Sequence, residues 1–266
     1  MYDLPALEAS LAGAIYSGKL HYMPVTGSTN TDALAAARSG TPHGSVYFAD
    51  EQTAGRGRGD HSWLSAAAQG LYVSVLLRLN LPVSRLPLLP LAAGLAAAEA
   101  IRAVSGLAVD LRWPNDLLLG ERKTGGILAE AQLENKPDAA TLGYAVIGIG
   151  INVHQSRFQT GLATPATSLD LETGRYISRQ ELLVALLESL EREASALLDS
   201  VHAAAISARV EQASTWVRGR LVEVHGPQAC TGITEGLDEN GFLLVRSAEG
   251  PTEKLVRVQT GGIRSA

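Results

Sequence analysis

Residues 144–153, Tyr-Ala-Val-Ile-Gly-Ile-Gly-Ile-Asn-Val, are the hardest part of this chain to place anywhere but inside a β-sheet. The run is too apolar for an edge strand, so it predicts a central one covered on both faces. Residues 87–104 offer cover as an Ala/Leu helix that stops at Ser105-Gly106, with a glycine where a C-cap belongs. A second helix over 179–198 carries Leu182, Leu183, Leu186, Leu187 and Leu190 as its apolar stripe. Shorter helices over 30–38 and 203–215 and strands over 45–49, 71–79, 109–113, 117–119 and 127–133 interleave with these. The pattern is α+β, a mixed sheet flanked by helices.

After Trp216 the character changes. Strands over 219–225, 229–235, 241–246 and 254–259 are separated by turn clusters such as Asp238-Glu239-Asn240-Gly241. This predicts a small β-barrel, and hence two domains, 1–215 and 216–266. The 266 residues, 46% hydrophobic, suffice for a full core. A net charge of -5 gives no general attraction to DNA or an anionic membrane, so any anion must be bound locally. The single Cys230 excludes an internal disulfide and a multi-cysteine metal site, and fits a reducing, cytoplasmic compartment. No secretory signal opens the chain, and the apolar run 86–98 is about half a membrane span, which predicts a buried helix.

Three segments carry chemistry. In Gln52-Thr53-Ala54-Gly55-Arg56-Gly57-Arg58-Gly59, glycines allow close backbone approach while two guanidinium groups offer forked donors for phosphate or carboxylate. It is neither a Walker loop nor a dinucleotide fingerprint, and a solvated turn or RNA-binding patch is the plain alternative. In Arg112-Trp113-Pro114-Asn115-Asp116, Pro114 pushes Trp113 toward an extended conformation and the Asn-Asp pair suits a turn. That pair could meet Mg²⁺ or an incoming amine, or simply close a hairpin. Lys123, before Gly125-Gly126, could reach an anion in a cleft or sit at a hairpin tip.

The order and spacing of Ser28-Thr29-Asn30, Gln52, Gly55-Arg56-Gly57-Arg58, Trp63, Trp113-Pro114-Asn115-Asp116, Lys123-x-x-Gly126 and Gly148-x-Gly150-Ile151-Asn152 resemble biotin protein ligases from about residue 21 onward. The resemblance implies a class II synthetase-like catalytic fold with an SH3-like C-terminal barrel. It implies activation of biotin with ATP and Mg²⁺ to biotinyl-5'-AMP, then transfer to one lysine of a biotin carboxyl carrier domain of acetyl-CoA carboxylase or a related carboxylase.

By that similarity Ser28, Thr29, Asn30, Gln52, Gly55, Arg56, Lys123 and Gly126 line the biotin site. Arg58, Trp63, Trp113, Asn115 and Asn152 serve ATP, with Asn115 as a Mg²⁺ contact. Lys123, Arg56 and Asp116 are the catalytic set, Asp116 receiving the acceptor lysine. The glycine-rich loop 53–62 becomes a lid that is mobile when empty. A homodimer is compatible with the resemblance.

Departures are specific. Gly59-Asp60-His61 replaces a basic run, Arg112 replaces a lysine, and Gly261-Gly262 replaces a Gly-acid pair. About 20 residues precede the first core strand, too few for the helix-turn-helix that makes some relatives repressors. A lipoate ligase, a non-catalytic nucleotide or nucleic-acid binder, and a biotin-sensing regulator that has lost transfer, against which Lys123 and Asp116 stand, are the alternatives.

Overall fold

The computed structural model describes residues 2–59, 61–135, 140–247 and 254–266. Its main sheet comprises β1 (Leu20–Thr26), β2 (Ser45–Gln52), β3 (Gly70–Leu77), β4 (Asp110–Arg112), β5 (Asp116–Leu119), β6 (Arg122–Asn135) and β7 (Ala140–Asn152). Their spatial order is β1-β2-β3-β7-β6-β5-β4; β1 and β2 run parallel and the other neighbours antiparallel. The sheet is mixed, with the expected apolar strand β7 at its centre.

Alternation divides the two faces of the sheet. Val73, Val75, Leu77, Ile127, Ile147, Ile149 and Ile151 belong to the large core with the helices α3 (Leu88–Ser105), α4 (Leu169–Thr173), α5 (Arg179–Ala196) and α6 (Ser200–Gln212). On the other face Tyr47, Leu76, Tyr144 and Val146 pack with Ala33 and Ala37 of α2 (Thr29–Arg38). That short helix covers only part of its face, which leaves the remainder of the central strands free to build a site. Helix α3 is long and apolar enough to cross a membrane, but most of it is buried in the core. It ends on Gly106 at φ 78°, whose N–H donates to the Arg102 carbonyl at 2.9 Å.

The C-terminal strands β8 (Arg218–His225), β9 (Cys230–Leu237), β10 (Leu243–Ser247), β11 (Lys254–Val258) and β12 (Gly262–Ser265) form an antiparallel sheet ordered β11-β10-β9-β8-β12, consistent with an SH3-like domain. Val222, Val224, Leu243, Val245, Val258 and Ile263 join the large core rather than forming a separate one. Trp216 is buried at the junction, with the Arg112 and Arg220 guanidinium groups 5.1 and 3.5 Å from its ring centroid.

Several elements depart from the sequence expectation. Helix α1 (Leu4–Ser10), capped by Asp3, and the terminal strand β12 lack a periodic signal of their own. Helix α6 begins at Ser200 rather than 203, because the Asp199 carboxylate accepts the N–H groups of Val201 and His202. Strands β6 and β7 are much longer than their apolar runs. The Trp113–Pro114 peptide is cis, and Trp113 lies in a turn between β4 and β5 rather than in a strand.

One buried ion pair fixes α5 to the end of β2. Arg179 Nη1 lies 2.8 Å from Asp50 Oδ1, and the Tyr22 hydroxyl donates to Asp50 Oδ2 at 2.6 Å. Burial disfavours the Asp50 charge, but hydrogen bonds from Tyr22 and Arg179, with the Arg179 charge, hold its carboxyl below the usual range. That contribution to stability is present above the unfolded carboxylate value and is lost as pH falls through the lower folded one. Arg179→Met should cost about 3 kcal/mol at neutral pH by stranding Asp50. Thermal unfolding should show it as a fall of roughly 5–10 °C in Tm, a gap that narrows once acid protonates Asp50.

Candidate active site

Glycines make the floor of the site. Gly126 of β6 pairs with Gly150 of β7, and Leu128 with Gly148, so on this face of the two central strands only Leu128 interrupts a strip of bare backbone. A Cβ on Gly148 would sit 2.1 Å from Asn30 Oδ1, and one on Gly150 would sit 2.6 Å from Trp63 Nε1. At Gly126 it would come within 3.4 and 3.5 Å of Lys123 Cε and the Trp63 ring. The strip therefore lets Asn30, Trp63 and Lys123 lie against the sheet.

One end of the slot is neutral and polar. Helix α2 brings Ser28, Thr29 and Asn30 there, all three buried, with the Ser28 side chain making no capping bond to its helix. The Thr29 N–H and hydroxyl donate to Gln52 Oε1 at 2.9 and 3.1 Å, and Gln52 Nε2 donates to Ser65 Oγ at 2.7 Å. Ser74 Oγ donates to Asn30 Oδ1 at 2.5 Å and lies 2.8 Å from Thr29 Oγ1. Asn30 Nδ2 in turn donates to the Leu128 carbonyl and to Glu130 Oε2, at 3.3 and 2.9 Å.

The other end is cationic. Lys123 Nζ is 2.5 Å from Asp116 Oδ1 and 5.6 Å from the Trp63 ring centroid. Arg112 closes on Asp116 Oδ2 at 2.5 Å. Burial works against the Asp116 charge, yet the charges of Lys123 and Arg112 and their hydrogen bonds hold its carboxyl below the usual range. Asp116 is thus ionised at neutral pH and ill suited to take a proton; it orients Lys123. Arg58 Nη1 donates to Asn115 Oδ1 at 3.2 Å and to the Gly261 carbonyl at 2.7 Å. Burial lowers the Arg58 pKa, the Asp116 charge opposing, but a guanidinium stays protonated.

The arginine loop folds back over the slot. Gly57 N–H donates to the His61 carbonyl at 2.7 Å and Trp63 N–H to that of Gly55 at 2.8 Å. A Cβ on Gly55 would meet the Trp63 carbonyl at 2.4 Å, so the close approach needs a glycine. Asp60, part of the expected departure from a basic run, lies outside the described residues.

Most of the expected residues therefore converge, with four reservations. The Arg56 guanidinium pairs with Glu130 on the sheet. Asn152 is buried, with its amide donating to the Thr167 carbonyl at 3.0 Å and accepting from Gln155 at 3.2 Å. Trp113 is buried too, and its indole N–H donates to the Gly241 carbonyl at 3.0 Å. Asn115 Oδ1 accepts from the Arg58 guanidinium at 3.2 Å and its Nδ2 donates to the Ile127 carbonyl at 2.9 Å, so a cation already stands beside the oxygen that would meet Mg²⁺. No group of three His, Cys, Asp or Glu suited to a metal occurs among the described residues. Sequence reasoning missed Ser65, Ser74 and Glu130; their serines and lone acid stand in strands or a loop and belong to no motif.

Comparison with known proteins converges on one family. The model for the biotin/lipoate A/B protein ligase family matches residues 22–152. The biotin-[acetyl-CoA-carboxylase] ligase of Mycobacterium tuberculosis is 35% identical over 91% of this chain and 88% of its own length. The bifunctional ligase/repressor BirA of Bacillus spizizenii is 38% identical over 65% of the chain, and the chain spans about half of it (53%). Among solved structures, the biotin protein ligase of Aquifex aeolicus in complex with biotin and ATP superposes with a TM-score of 0.77 at 29% identity, covering 94% of this chain and 100% of that one.

Gly150→Ala should drive the Trp63 indole off the sheet. The expected outcome is a red-shifted tryptophan emission and faster tryptic cleavage at Arg56 and Arg58, with far-UV circular dichroism unchanged.

Proposed function

The chain belongs to the biotin protein ligase family, and we propose that it activates biotin with ATP to biotinyl-5'-AMP and then transfers biotin to a lysine of a biotin carboxyl carrier domain. The observation that carries this reading is the slot itself, with Thr29 and Gln52 at its neutral end and Lys123, clamped 2.5 Å from Asp116, at the other. A ligand with a neutral hydrogen-bonding head, an apolar body and an anionic tail suits it, and biotin is such a molecule.

In the first step a biotin carboxylate oxygen attacks the α-phosphorus of ATP, the bond to the β-phosphate breaks and pyrophosphate leaves. Two anions must approach each other, and Lys123 with Arg58 would neutralise the charge that grows at the α-phosphate. Asp116, held ionised, keeps Lys123 aimed there. In the second step the acceptor amine attacks the acyl carbon, the bond to phosphate breaks and AMP departs. The acceptor ammonium would give its proton to solvent before attack, because Asp116, beside which it would arrive, is held ionised by Lys123 and Arg112. Trp63 and the loop would cover the mixed anhydride and exclude water. We assign no protein ligand to Mg²⁺, which commonly enters phosphoryl chemistry with the triphosphate and its waters.

The partner we propose is the carrier domain of acetyl-CoA carboxylase or a related carboxylase, the compartment the cytoplasm, and the domain boundary residue 216. Arg56, Asn152 and Trp113 are proposed at the margins of the site: each is engaged with protein, and a role in binding would require a change of partner.

Pyrophosphate release from ATP should depend on biotin, and an added carrier domain should gain the mass of one biotinyl group. Lys123→Ala should reduce the first step by about 10²–10³-fold, the usual loss for a positioned transition-state donor. Release with lipoate in place of biotin would assign the chain to the lipoate branch, and silence with both would overturn the catalytic reading.

A further inference from the structure

We infer that Glu130 is a positioning residue that latches the arginine loop shut, and that Arg56 serves this latch rather than the substrate. The inference rests on the ligase reading above. Glu130 stands on β6 two residues beyond Leu128, on the same face as the glycine strip, and its Oε2 receives both the Arg56 guanidinium and Asn30 Nδ2. Arg56 opens the loop; it bridges to Ser62 across the hairpin, and Ser65 lies just beyond.

Followed outward, the contacts close on themselves. From Glu130 they pass to Asn30, to Ser74, to Thr29, to Gln52 and then to Ser65. Ser65 donates to the Trp63 carbonyl, and Trp63 returns to Gly55 beside Arg56. Both ends of the loop are thereby tied to the neutral end of the slot, one through Ser65 and one through Glu130. A charge-assisted bond at Glu130 is the one ionic link in this circuit, and Asn30, buried beneath it, sets where the carboxylate points.

Two consequences follow. The Arg56 side chain is 42% exposed and turned to the sheet, so Lys123 and Arg58 are left to meet the reacting anions. A ligand that engages Thr29 and Gln52 adjusts the same circuit that ends at the latch, and so favours a closed loop. Loss of the latch should therefore appear as loss of the intermediate: water attacks its acyl carbon, the acyl–phosphate C–O bond breaks, and biotin and AMP leave with a proton released to solvent.

The test is a double-mutant cycle on Glu130→Gln and Arg56→Gln, with AMP formed in the absence of carrier measured against pyrophosphate released. Each single variant should leak adenylate about tenfold faster, as expected when one charge-assisted hydrogen bond holding a closed state is removed. The double variant should leak no faster than either, because both changes break one contact. Glu130→Asp, which keeps the charge but shortens its reach, should fall between. Wild-type retention in Glu130→Gln, multiplicative effects in the double variant, or a raised biotin KM confined to Arg56→Gln would overturn the inference. A wild-type protein that releases no pyrophosphate would instead overturn the ligase reading. The latch is then read without substrate, by faster tryptic cleavage after Arg58 in Glu130→Gln; equal cleavage would overturn it.

Discussion

The site depends on two central strands that give up side chains. At Gly126, Gly148 and Gly150 the sheet presents bare backbone, and the side chains that make the slot rest on it. Glycine in a strand interior ordinarily weakens it, both by chain entropy and by missing packing. Here the opposite faces of β6 and β7 compensate, since Ile127, Ile147, Ile149 and Ile151 are all buried against helices. The same alternation that makes the core thus clears the slot, one face full and the other empty.

Above this floor, charge is organised by confinement. Asp116 touches two cations, and only one of them, Lys123, stands under Trp63 at the slot. Arg112 is buried and also donates to Thr164 at 2.8 Å, so it braces the carboxylate from behind. An arginine at this position suits that task, because its fork reaches Asp116 and Thr164 together. Breaking so buried a cluster costs more than its formation contributes, which favours one geometry over many.

The fold was legible where a single segment declares its own environment. The central strand, the Leu stripe of α5 and the Gly106 stop of α3 follow from local spacing and burial alone. Strand β1 has no clean alternation because it lies at the sheet's edge, half covered and interrupted by Pro24. The site was legible through motifs, which supplied Thr29, Gln52, Lys123 and Asp116. Glu130 could not be read in the same way. An acid in a long strand looks like a solvated face, and its partners Asn30 and Arg56 lie 100 and 74 positions away. Gly150 carried a second message hidden in the sequence: its missing Cβ is the seat of Trp63.

The bond from Arg58 to the Gly261 carbonyl crosses from the arginine loop to the turn before β12. Trp113 makes a parallel crossing to Gly241. With the loop down, Arg58 adds one polar link to those that Trp113–Gly241 and Arg220–Glu121 already make between the small sheet and the large one; with the loop raised, that link is gone. Closure of the loop and the seating of the turn before β12 are then reciprocal: whatever steadies one favours the other by the same free energy.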